Sequence, residues 1–171
     1  MNNPSYIVVD EMKAIVAATG LKLGKSLNYL YGYVTELTET LQQWSDVQTL
    51  YDKKYPLVWL AQPFTIMQGK QIGIYGEIEE LRLFIITDSD KTYKAEQRMT
   101  INYKPTLYPI MAELEVQISK SKAFQSYQNK LGVKFTDRYY WGEQQRSVLN
   151  DVVDIIEMKI TGIKIQNNLN C

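Results

Sequence analysis

The chain has 171 residues, 45% of them hydrophobic and 22% charged, which places it among globular domains rather than disordered chains. Lysine plus arginine balance aspartate plus glutamate at 19 each, so no net charge draws the chain to nucleic acid or to an anionic membrane. It has no histidine and a single cysteine, Cys171, which excludes histidine-based acid–base and nucleophile systems, histidine-ligated metals and an internal disulfide.

The N-terminal stretch "MNNPSYIVVDEMK" has neither a basic leader nor a long apolar core, so no signal peptide is expected. No apolar run approaches the ~20 residues that a bilayer requires. Cysteine economy fits synthesis in a reducing, intracellular compartment. The whole chain reads as a single domain spanning residues 1–171.

Ile7, Val8, Met12, Ile15 and Val16 recur at helical spacing and predict a first helix over 5–19, ended by Gly20. The stretch "ATGLKLGKSLNYL" then resembles a phosphate-binding loop. That loop has the form G-x-x-x-x-G-K-[ST], and here Gly20 and Gly24 stand one residue too close, which removes the backbone cradle. A nucleotide-binding protein is therefore only an alternative reading. The plainer expectation is a turn at Gly24 with Lys25 and Ser26 in solvent.

Leu27, Tyr29 and Tyr31 alternate as a short strand that stops at Gly32. Val34, Leu37, Leu41 and Trp44 then form the stripe of an amphipathic helix over 33–46. Its opposite face carries Glu36, Thr38 and Glu39 rather than basic residues, which favours core packing over a membrane surface. "YPLVWLAQPF" reads as a strand buried on both faces. Next come a strand near 64–67, a glycine-punctuated hairpin or arm at 68–78, and a strong strand at 80–87. Thr92 can cap a helix. Residues 93–119 follow a helical pattern interrupted by Pro105 and Pro109, which implies either a kink or a new helix starting at Pro105.

Residues 120–145 mix charges with aromatics and read as a long excursion that docks on something. Within it, "KFTDRYYWGE" gathers arginine, tyrosine and tryptophan, the residue types that dominate binding hot spots. Either these rings fold back over the core or they meet a neighbouring subunit. The last element, "DIIEMKITGIKI", alternates as a half-buried strand with a bulge at Gly162. Glu157 and Lys159, with Asp88 from another strand, mimic a magnesium-dependent nuclease set, yet their alternation reads as a solvent face. The elements together predict an α+β fold. It would have a mixed, mostly antiparallel β-sheet with helices packed on it and extended hairpin or loop arms.

The phrases "YPLVWL", "ELRLFIITDSD", "NYKPTLYPIMAELEVQI", "DRYYWG" and "NDVVDIIEMKITGIKI" resemble small virion proteins of crAss-like and related gut phages. Their order, across roughly residues 27–165, is similar to the tail terminator (tail completion) family of tailed bacteriophages. That resemblance implies a structural virion protein without enzymatic activity or cofactor, assembled in the host cytoplasm and residing at the tail or neck. It implies a homo-oligomeric ring of roughly six or more copies. The ring would contact portal, connector or tail tube proteins and let double-stranded DNA pass without specific binding, with no membrane involved. Another neck, tail or minor capsid component is the alternative. By position, the 68–78 hairpin and the 135–142 loop are the candidate subunit contacts, with Ile72, Ile74, Tyr75, Asp137, Arg138, Tyr139, Tyr140 and Trp141 as candidate interface residues. The helix over 5–19 is an addition that smaller members of the family need not have. Thirteen tyrosines and equal opposite charges suit such interfaces.

Overall fold

A computed structural model describes residues 4–47, 50, 54–68, 74–125, 131–136 and 151–166. Helix α1 (Pro4–Leu23) leads into strand β1 (Asn28–Gly32), helix α2 (Val34–Asp46), and strands β2 (Leu57–Ala61), β3 (Ile66–Gln68) and β4 (Ile74–Asp88). A helical rod follows, made of α3 (Ala95–Arg98), a π-helix (Met99–Leu107) and α4 (Tyr108–Lys120). The strands β5 (Phe124–Gln125), β6 (Leu131–Thr136) and β7 (Val153–Gln166) complete the described chain.

The strands form one mixed sheet in the order β1-β2-β4-β7-β5, with β3 also on β4 and β6 also on β7. Among the described residues only β1 and β2 run parallel, joined through α2; every other pair is antiparallel. This is the expected α+β fold. Both faces of the sheet are covered. On one face α1, the π-helix and α4 pack over Val58, Leu60, Leu83, Ile85, Ile156 and Met158. On the other, α2 sets Leu37 and Leu41 against Leu57, Trp59, Phe84, Ile86 and Ile155. The continuous apolar run of β2 follows, since alternate side chains enter different cores and all five residues are buried. Each fully buried Leu or Ile contributes about 1.5–3 kcal/mol, so these two layers carry the stability.

Several expectations are corrected. The first helix does not stop at Gly20 but runs to Leu23, where Gly24 at φ 62° ends it in the left-handed conformation. Gly20 sits inside that helix because the Lys25 carbonyl comes within 2.8 Å of where a Cβ would stand. Thr92 caps no helix: its N–H and hydroxyl both donate to the Asp90 carboxylate in a turn, and α3 begins three residues later. The Thr92 bonds hold the Asp90 carboxyl below its ordinary pKa.

The segment 74–78, read as part of an arm, is the first stretch of the long strand β4. It pairs with β7 along its length and with β3 at Gly76–Ile78. Gly76 is there for close approach, since a Cβ would stand 2.7 Å from Ile66 Cγ2. Gly162 makes no bulge: despite φ 75° the register is unbroken from Glu80↔Thr161 to Ile78↔Ile163, and the irregularity falls between Ile74 and Gly76. Part of the expected 120–145 excursion is sheet instead, with β5 and β6 laid along β7.

No new helix starts at Pro105. Pro105 lies inside the π-helix and Pro109 at the first turn of α4, and the rod runs without a break from Ala95 to Lys120. The rod and α1 lie antiparallel: Ser121 Oγ donates to Glu11 Oε1 at 2.5 Å at one end, and Lys25 Nζ donates to the Pro105 carbonyl at 2.9 Å at the other.

Candidate functional site

The parallel strands β1 and β2 end side by side at Gly32 and Ala61, where α2 begins. Two features of Gly32 call for glycine, and its backbone carbonyl adds a third tie. Its φ of 134° suits only glycine, a Cβ would stand 2.3 Å from Glu36 Oε2, and its carbonyl accepts both the Gln62 N–H and Trp59 Nε1. Glu36 reaches back to the Tyr33 N–H at 2.7 Å, satisfying an orphan donor at the start of α2. A cavity of about 130 Å³ opens here, walled by Tyr33, Val34, Trp59, Ala61 and Pro63, with Gln62 and Arg82 as its polar residues.

Arg82 is set by its neighbours. Its Nε and Nη2 both donate to Glu157 Oε1, at 2.8 and 2.6 Å, and its guanidinium lies 5.3 Å from the Phe84 ring centre. Phe84 in turn stacks on Trp59 with centroids 4.9 Å apart. Glu157, expected on a solvent face, is therefore buried and paired, whereas Lys159 is exposed and 3.7 Å from Glu80. Asp88 lies opposite Val153, four residues from the Phe84↔Glu157 pair, or about 13 Å along the strands. The nuclease constellation does not come together. No group of three or more metal-ligating side chains occurs among the described residues.

Two further ionic clusters tie elements together. Asp154 is fully buried on the face under the helical rod. It accepts from Arg98 Nη1 at 3.1 Å, Asn102 Nδ2 at 2.6 Å and Ser89 Oγ at 2.8 Å. Arg98 and Asn102 straddle the α-to-π transition, which turns both toward the same carboxylate. Lys54, also buried, donates to Asp151 Oδ2 at 2.7 Å and Ser45 Oγ at 2.5 Å, and the Tyr55 hydroxyl donates to the same carboxylate oxygen at 2.9 Å. These contacts pin the end of α2 to the approaches of β2 and β7.

The phosphate-loop reading needs a strand, then the loop, then a helix. The chain runs in the opposite order, with α1 before the turn and β1 after it. Lys25, expected in solvent, is hydrogen-bonded to Pro105, while Ser26 is exposed.

Of the candidate interface residues, Ile74 and Tyr75 occupy the first positions of β4. Ile72 and the run Asp137, Arg138, Tyr139, Tyr140 and Trp141 lie outside the described residues. The surface that sequence reasoning passed over is the outer edge of β1. Asn28 N–H donates to Pro56 and the Gly32 carbonyl accepts from Gln62, so residues 28, 30 and 32 face β2. The backbone groups of Tyr29 and Tyr31 consequently point away from the sheet. Tyr29 donates its hydroxyl to the Val9 carbonyl at 3.1 Å, and burial, with Tyr31 and Asp10 nearby, pushes its phenol well above the ordinary value. Tyr31 and Tyr33 stay half-exposed. Uncharged alternation over "NYLYG" was the available signal.

No protein-family model matches the chain, and no curated protein matches it in a sequence search. Among the described residues no helix is long and apolar enough to cross a membrane.

Proposed function

We propose that the chain is a structural subunit of a phage virion that assembles into a closed ring at the tail or neck, as a tail terminator or head–tail connector. The resemblance of its phrases and their order to the tail terminator family suggests that role. The observation that carries it is the open sheet. Its two lateral limits are formed by strands, β1 on one side and β5 and β6 on the other, with no further strand beyond either among the described residues. Lateral repetition of such a unit generates a ring when the rotation closes.

The mapped polar groups fit a load-bearing part. The pairs Arg98–Asp154 and Arg82–Glu157 each join separate elements, and Lys54–Asp151 joins the approaches of β2 and β7. In this reading the partners are further copies of the chain together with portal, connector or tail tube proteins, and double-stranded DNA passes through the lumen. The place of work is the virion, after assembly in the host cytoplasm. Negative-stain electron microscopy of the purified protein, beside its native mass, tests the reading. Closed rings with a central hole support it; a single-copy species at every concentration, alone and on purified tails or portals, refutes it.

A further inference from the structure

We infer that neighbouring subunits join by strand addition, the outer edge of β1 in one copy pairing antiparallel with the outer edge of β6 in the next. The inference rests on the ring reading and specifies the junction.

Three observations support it. First, among the described residues no strand pairs with the outer edge of β1. Natural edge strands are blunted by charge, proline or a bulge, and Asn28–Gly32 has none of these. Tyr29 and Tyr31 present outward N–H and C=O groups, a template for an added strand. Second, directions match. β1 runs with β2; β2 opposes β4, β4 opposes β7 and β7 opposes β6. β6 therefore runs opposite to β1. Rotation about an axis along the strands preserves every direction, so the β6 of a neighbour arrives antiparallel, the pairing that is more stable per residue. Third, lengths and charge agree. β1 has five residues and β6 has six. β1 is uncharged and β6 carries one lysine and no acid, so no like charges face each other within the two strands. A strand pairing of this kind occupies each edge once per subunit and leaves the helices on both faces of the sheet in place.

The test is Tyr31→Pro in the full-length chain. Its N–H points away from β2, so proline spares the β1–β2 ladder while removing the donor and blocking a neighbour. Tyr31→Ala, which keeps the backbone donor, is the control, and circular dichroism with thermal melting checks folding. Should Tyr31→Pro fail to fold, Tyr31→Lys, which places a charge on the edge, takes its place. We expect wild type and Tyr31→Ala to assemble, and the folded blocking variant to need a concentration about tenfold higher or more. Assembly of the folded blocking variant at the wild-type concentration overturns the junction and leaves the ring reading standing. A wild-type chain that never assembles, alone or on purified tails or portals, overturns both.

Discussion

The Lys25 ammonium donates to the carbonyl of Pro105 at 2.9 Å, which ties the turn after α1 to the π-helix of the rod. A lysine that imitates a nucleotide motif in sequence is thus a helix clasp in the fold, joining the end of α1 to the rod.

Replacing Lys25 with methionine is expected to lower unfolding free energy by about 0.5–1.5 kcal/mol, the worth of one hydrogen bond. Urea denaturation measures it. Titration with ATP and magnesium should show no saturable binding to either form; binding in the wild type that is lost in Lys25→Met would restore the nucleotide reading.

Asp154→Ala removes the carboxylate that pairs with the buried Arg98 guanidinium and accepts from Asn102, while the bonds of Arg98 to the Tyr93 carbonyl and of Asn102 to the Asp88 carbonyl stay in place. Breaking one side of a buried pair costs about 3–5 kcal/mol. Domains are stable by only about 5–15 kcal/mol, so the variant should unfold at markedly lower denaturant and amides of residues 95–107 should exchange faster. An unchanged midpoint would mean that the cluster is not holding the π-helix to β7.

Gly32→Ala should destabilise the chain by about 1–3 kcal/mol, because it forces a side chain into a left-handed position and against the Glu36 carboxylate. Thermal melting of Gly32→Ala beside Gly24→Ala separates the two causes. Gly24 also has positive φ, but a Cβ there meets nothing within 4 Å. The Gly32 variant should be the worse of the pair.

Tyr29 gives a pH signature. Its folded phenol titrates above its unfolded value, so the folded state keeps a proton that the unfolded state has released. The associated stability is complete below the ordinary phenol pKa of about 10 and is lost as pH rises through the higher folded value. Tyr29→Phe should lose part of this alkaline slope. Denaturation midpoints between neutral and alkaline pH, compared for the two forms, would show it; parallel profiles would count against it.

The two-sided core was legible in places and hidden in others. Leu37 and Leu41 on α2 and the unbroken run Leu57–Ala61 announced their burial through period and continuity. The lengths of β4 and β7 did not, because Gly76 and Gly162 look like punctuation. One serves close contact with Ile66, and the other is carried through the pairing in register. β6 did alternate, with Leu131, Val133 and Phe135 against Gly132, Lys134 and Thr136, but the aromatic run beyond it drew the segment toward a loop reading. The Arg82–Glu157 pair depends on register between strands 75 residues apart. No local pattern encodes that, so Glu157 read as solvent-facing.

Negative-stain electron microscopy of the purified wild-type protein, with native mass on the same sample and on samples mixed with tails or portals, addresses ring assembly most directly. Closed rings of one size with a central hole are expected. Single copies at every concentration and in every mixture would contradict the ring reading.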